Sequence, residues 1–263
     1  MLFAGSALKG YAIAASDGRI GTCSDFLFDD ATWKVRWMVV DTGTWLTGRK
    51  VLVHPSAIGQ PDFGQQSLPV RLTRAQVEAS PDVLQDEPVS RRMEDDLYGY
   101  YGWDPLWGGG NLFGGYVGMM GMPLASPPAY GEAAVIERER GGVPRDDGDP
   151  HLQSITDITN CHVHAADGGI GHVQDFLIDD TTWGIRYLVI DTRNWWFGQH
   201  VLLSPFAVQK VDWAGHEIRT GLTRERIKAS PPWDSAAVID RAYEERLHGH
   251  YGWPGYGARG LPS

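Results

Sequence analysis

The chain has 263 residues and a formal net charge of −10, from 23 basic and 33 acidic side chains. This length is typical of about two domains. A negative surface repels phosphate backbones, so the charge argues against nucleic-acid binding. We also expect a cytoplasmic protein without an integral membrane segment or disulfides. It has only two cysteines, its first residues do not have the pattern expected of a signal peptide, and no stretch approaches the roughly 20 apolar residues of a membrane helix.

In chain order, the pattern predicts a series of short strands. Asp17-Gly18 marks a hairpin turn between the first two, because glycine accepts a positive φ, and Pro55 ends the fourth. Such strands, separated by turn residues, are typical of a small antiparallel barrel or sandwich, and closure would remove exposed edges. The predicted strands are 9–15, 21–28, 35–42 and 50–53, with weaker ones at 58–63 and 67–72.

Two helices are predicted after the strands. Thr73 and Gln76 have the spacing of a capping box, so a short helix should begin there. A longer helix should begin near Ser90, and Gly99, like Gly249 later in the chain, is expected to end it.

The predicted unit of strands and helices occurs twice in the chain, 150 residues apart. Of the 93 positions from 11 to 103, 36 are identical to the residue 150 positions later. We call these copy one and copy two. The predicted domains are therefore 1–103 and 151–253, each a barrel followed by a short and a longer helix, and 254–263 is a short tail.

Residues 104–150 differ in composition from the repeated unit. This segment is rich in glycine and proline and ends in a charged run, which is typical of a linker. Its scattered aromatic residues leave open that part of it docks between the copies.

The repeated unit resembles the PRC-barrel family. The pattern that carries the resemblance is Asp-Gly-x-Ile-Gly-x-x-x-Asp-Phe-Leu-x-Asp-Asp at 17–30 and 167–180. It continues through Trp33, Asp41-Thr42 and Val51-Leu52-x-x-Pro55, and covers about 8–103 and 158–253. The resemblance implies a small, mostly antiparallel β-barrel. The family includes the cytoplasmic domain of the purple-bacterial reaction-centre H subunit and a domain of the RimM-type ribosome-maturation factor. In both proteins the barrel acts as a docking or supporting module.

We expect this chain to differ from both proteins, without the membrane helix of the first or the partner domain of the second. We therefore expect a non-enzymatic protein-interaction or scaffolding module that needs no cofactor. Its partner would be a protein, including one at the cytoplasmic face of a membrane complex, and the copies could form an intramolecular pair or a homo-oligomer. The alternatives are a metal- or ligand-binding regulator that uses a cleft between the barrels, and a ribosome-associated factor. No catalytic motif is present in the sequence.

Two groups of side chains were considered as metal sites. Asp25, Asp29 and Asp30, with their partners in copy two, could bind a hard cation, but their spacing favours turn-capping acids. His162 and His164 face one side of a predicted strand and His172 lies across the hairpin, so three imidazoles could bind zinc or nickel in copy two alone. Exposed strand histidines without a ligand are the simpler interpretation.

The repeated aromatic residues are the remaining candidates. Trp33, Trp45, Trp183 and Trp195 are expected to pack within the barrels. The Tyr-Gly-Trp segments follow the second helix, where they either cap a barrel end or anchor a contact with the other copy or a partner. The candidate interface residues are Tyr101, Trp103, Tyr251 and Trp253.

Overall fold

The computed structural model describes residues 1–46, 48–81, 89–103, 148–192, 200–233 and 239–255. Most of the predicted linker, the tail from 256 and Trp195 lie outside these residues. The chain divides into two compact units, one made of Met1–Leu84 with Pro150–Ser263 and one made of Gln85–Asp149. Both sheets belong to the first unit.

The described residues are mainly β, as predicted. The helices are α1 (Arg74–Glu78), α2 (Arg91–Tyr101), α3 (Ile155–Ile158), α4 (Arg224–Lys228) and α5 (Arg241–Tyr251), with 3₁₀ turns at Gly5–Leu8, Pro55–Ala57 and Pro205–Ala207. The strands are β1 (Leu2–Ala4), β2 (Ala12–Ala15), β3 (Gly18–Asp29), β4 (Lys34–Asp41), β5 (Lys50–Val53), β6 (Ser67–Pro69), β7 (Leu152–Ser154), β8 (His162–Ala165), β9 (Gly168–Asp179), β10 (Ile185–Asp191), β11 (His200–Leu203), β12 (Val208–Asp212) and β13 (Glu217–Thr220).

Each copy contributes most of one sheet. The order is β5-β4-β3-β2-β6 in copy one and β11-β10-β9-β8-β13-β12 in copy two. Most neighbours are antiparallel, but β2 pairs with β6 and β8 pairs with β13 in parallel. The sheets are therefore mixed, where the sequence predicted small antiparallel barrels and no parallel pairing. Closure of either sheet into a barrel stays a prediction.

The predicted strand at 58–63 is wrong for copy one. Only isolated bridges form there, between Ile58 and Val70 and between Asp62 and Ser67. The corresponding segment of copy two is the regular strand β12. Copy one carries Pro61 in this segment, which has no N–H to donate to a sheet, whereas copy two has Val211 at that position.

The helix starts are confirmed and the helix ends are not. Thr73 and Gln76 form the predicted capping box, and Ser90 caps α2. However, α2 continues through Gly99 to Tyr101 and ends at Gly102, whose φ is 67°. In copy two α5 likewise passes Gly249 and ends at Gly252. The left-handed conformation at the C-terminal cap is what requires glycine.

The two copies exchange strands. β1, from the start of the chain, pairs with β9 of copy two, with Phe3 opposite Ile178. Reciprocally, β7 pairs with β3 of copy one, with Gln153 opposite Phe28. Residues 2–4, which precede the first predicted strand, therefore complete the sheet of the other copy.

An aromatic core joins the two sheets across the copies. Phe26, Phe28 and Phe176 are fully buried. The ring centroids of Phe28 and Phe176 lie 6.0 Å apart, and those of Phe26 and Trp183 lie 5.9 Å apart. Because buried aromatic side chains remove large apolar areas from water, this cluster is a main source of cohesion between the copies.

Candidate functional site

Asp29 and Asp179, each the first of two adjacent aspartates in its copy, cap turns. Asp29 Oδ1 accepts hydrogen bonds from the N–H groups of Ala31 and Thr32. Asp179 Oδ1 accepts the same bonds from Thr181 and Thr182. This confirms the turn-capping interpretation for these two residues.

The neighbouring acids, Asp30 and Asp180, bind across the copies. Asp30 accepts a hydrogen bond from Trp213 Nε1 at 2.6 Å and contacts His151 Nδ1 at 2.9 Å. Asp180 pairs with the N-terminal ammonium group of Met1. These carboxylates therefore hold residues of the opposite copy.

Asp25 and Asp175 have a role that the sequence did not reveal. Asp25 Oδ2 accepts from the Ser154 hydroxyl, and its Oδ1 accepts from the N–H of Thr156 at 3.3 Å. In the other direction, Asp175 accepts from both the hydroxyl and the N–H of Ser6. Each carboxylate thus binds the first turn that follows the exchanged strand of the other copy. The only available signal was that these aspartates recur in the repeat.

The repeated tryptophans Trp33 and Trp183 lie at the junction of the copies. Both adopt a left-handed backbone, with φ of 54° and 56°, which is unfavourable for a bulky residue. The Trp33 carbonyl accepts from the N–H of Ile185, and the Trp183 carbonyl accepts from the N–H of Val35. The strained turns therefore give two reciprocal backbone hydrogen bonds. Trp45, by contrast, lies under the Arg74 guanidinium at 4.5 Å.

Close packing at Gly21 and Gly171 explains the repeated Ile-Gly pair. Their φ values are 157° and 142°. A Cβ atom there would overlap the carbonyl oxygen of Asp41 or Asp191 on the next strand. Only glycine fits this approach of two backbones.

The Tyr-Gly-Trp segments form stacked pairs at helix ends. The ring centroids lie 4.0 Å apart in Tyr101–Trp103 and 4.2 Å apart in Tyr251–Trp253. Tyr251 is only 4% exposed, and Arg226 of α4 donates to its carbonyl oxygen at 2.8 Å. The Tyr251–Trp253 stack is therefore part of the packing of α5. An interface role for all four residues stays a prediction.

His248 forms a buried polar contact beneath the Tyr251–Trp253 stack. One ring nitrogen lies 2.9 Å from the Tyr187 hydroxyl and the other 2.7 Å from the carbonyl oxygen of Pro254. Burial lowers the pKa of His248, an effect partly opposed by the Pro254 hydrogen bond and by Glu244. The folded protein therefore disfavours the charged ring.

We expect His248 to make the fold acid-sensitive. Below the ordinary histidine pKa of about 6.5 the unfolded chain takes up a proton that the folded chain resists, so stability falls as pH falls. His248→Gln, which cannot be charged, should show a shallower loss between pH 7 and 5 in urea unfolding experiments. His250→Gln, on the same helix, is the control. Equal slopes for His248→Gln and the unmodified protein would contradict this assignment.

The three candidate metal ligands lie together. His162, His164 and His172 line one pocket of about 300 Å³, together with Arg224. Within the described ranges, no group of three or more His, Cys, Asp or Glu side chains is arranged to hold a metal ion. A pocket of similar volume in copy one is lined by residues 19–22 and 41–45, which include no histidine.

A scan against protein-family models and a search of curated proteins both found nothing that matches this chain. The PRC-barrel resemblance therefore depends on the repeated residues alone. In the part of the chain that the structure describes, no helix has the length and apolar character needed to cross a membrane.

Proposed function

We propose that this chain is a non-enzymatic protein of the PRC-barrel type, in which an internal duplication supplies a pseudo-two-fold pair of barrels that acts as a docking scaffold for a protein partner. The observation that carries the proposal is that the repeated polar and aromatic residues make reciprocal contacts between the copies. Asp25 and Asp175 bind opposite turns, and Trp33 and Trp183 exchange backbone hydrogen bonds.

These contacts support a scaffold because they occupy the groups that a catalyst would need. Both oxygens of Asp25 accept hydrogen bonds from Ser154 and Thr156. A carboxylate held in this way by two donors contributes stability, since charge-assisted hydrogen bonds are about twice as strong as neutral ones. Its use as a general base would break the contact between the copies.

Duplication within one chain also gives the pair two properties useful in a scaffold. Tethering keeps the copies at a high effective concentration, so the pair does not dissociate on dilution. The copies also differ outside their shared contacts, so the scaffold offers two unequal faces. The partner would be a protein, including one of a membrane complex, since the repeated unit resembles a domain of the reaction-centre H subunit. The net charge of −10 disfavours a nucleic-acid partner.

The test is chemical crosslinking with mass spectrometry in the native host, with the unmodified chain and with Asp25→Ala/Asp175→Ala. We expect one recurrent protein partner that is crosslinked to residues of both copies. The double variant should lose this partner because the contact between the copies is weakened. Asp96→Ala, at an exposed position of α2, should keep the partner. Crosslinks to RNA would instead support the ribosome-associated alternative, and partner capture that is unchanged in the double variant would contradict the paired scaffold.

A further inference from the structure

Copy two carries three histidines on one outward face of its sheet. His162 and His164 alternate with buried Val163 on β8. His172, on β9, is the direct antiparallel partner of His162. The corresponding residues of copy one are Ala12, Ala14 and Thr22. Because copy one builds the same strand pair without histidines, the fold does not require them.

The strand geometry places the three histidines on neighbouring positions that line one pocket. Side chains directly opposite on antiparallel strands have Cβ atoms about 4.5–5.5 Å apart, and residues two apart on a strand share a face at about 7 Å. His164 lies opposite Gly169, and a Cβ added to Gly169 would touch its ring at 3.9 Å. The absence of a side chain at Gly169 leaves room in the shared pocket.

Carboxylates stand next to two of the rings. Glu217 Oε1 lies 3.8 Å from His164 Nε2, and Asp191 Oδ2 lies 4.0 Å from His172 Nε2. These distances are within ion-pair range but too long for hydrogen bonds. A rotation of either ring that closed the gap would give the outer-shell arrangement of a metal-binding histidine, in which a carboxylate orients the ring through one nitrogen and leaves the other for the metal. Asp191 is 1% exposed, so its position is well defined.

We propose that His162, His164 and His172 form a transition-metal site in copy two, for an ion that favours imidazole, such as Zn²⁺, Ni²⁺ or Cu²⁺. The rings are not assembled around a common point in this structure. The exposure of His164 and His172, 40% and 30%, leaves these rings room to turn toward one. Arg224 also lines the pocket, and its positive charge would favour an anion as the remaining ligand.

The test uses the full chain without an affinity tag, treated with a chelator and titrated with Zn²⁺ and with Ni²⁺ by calorimetry. We expect one ion per chain. The variant His162→Ala/His164→Ala/His172→Thr, which installs the residues of copy one, should bind at least about 100-fold more weakly, since it removes every protein ligand. His250→Tyr, also a copy-one residue, should bind like the unmodified chain.

A second variant separates ligand loss from misfolding. Glu217→Gln keeps all three histidines and should weaken binding by about tenfold while the stoichiometry stays at one, as outer-shell changes do. Circular dichroism of every variant checks that the sheet is retained. The proposal is overturned if the unmodified chain takes up no stoichiometric ion, or if the triple variant binds with the same affinity.

Discussion

The separated halves, residues 1–103 and 148–255, are expected to form a one-to-one complex when mixed. Each half lacks the strand that the other supplies, since β1 completes the sheet of copy two and β7 that of copy one. Each would also expose part of the aromatic cluster around Phe28 and Phe176. Burial of this apolar surface is the driving force for association.

The complex should prefer one half of each kind over two copies of the first half. Trp213 donates to Asp30, whereas Phe63, its counterpart in copy one, has no donor. This hydrogen bond to a carboxylate, of about 1.5–3 kcal/mol, favours the mixed pair by tenfold or more.

Size-exclusion chromatography with light scattering measures this directly. Mixed halves should elute as a single heterodimer, and Trp213→Phe in the second half should raise the fraction of homodimers. A Gln65→Ala variant of the first half, at an exposed turn, is the control and should not change the distribution. If both halves stay monomeric when mixed at micromolar concentration, the strand exchange does not hold the copies together.

Much of the local structure could be predicted from the sequence because its signals are local. The Asp17-Gly18 turn, the strand Lys50–Val53 and the capping box at Thr73 each depend on a few adjacent residues, and the structure has all three. The helix ends were misplaced because Gly99 and Gly102 carry the same local signal. Only the backbone conformation distinguishes the glycine that ends the helix.

The contacts between the copies could not be predicted because they join residues that are far apart in the chain. Three residues of β1 are too few to show a strand periodicity, and their partners lie 173 to 177 positions away in the chain. Asp25 looks like any turn acid until Ser154 and Thr156 are brought beside it. The parallel pairing of β2 with β6 also depends on the path of the chain and not on the residues of either strand.

Replacement of Gly171 by alanine is expected to be among the most destabilising single-methyl changes in this chain. The added Cβ would overlap the Asp191 carbonyl oxygen, which is backbone and cannot rotate away. The φ of 142° adds strain for any residue with a side chain. Together these effects should lower the free energy of unfolding by about 3 kcal/mol or more.

Gly249→Ala is the matched control. It introduces the same methyl group, but within helix α5, where no atom of the described residues other than the adjacent helix backbone lies within 4 Å of the new Cβ. Since alanine favours a helix over glycine by about 1 kcal/mol, this variant should be neutral or more stable. Urea unfolding of both variants gives the comparison. A loss at Gly171→Ala below about 1 kcal/mol would mean that β9 and β10 can separate at this point, and that the repeated Ile-Gly pair has some purpose other than close backbone packing.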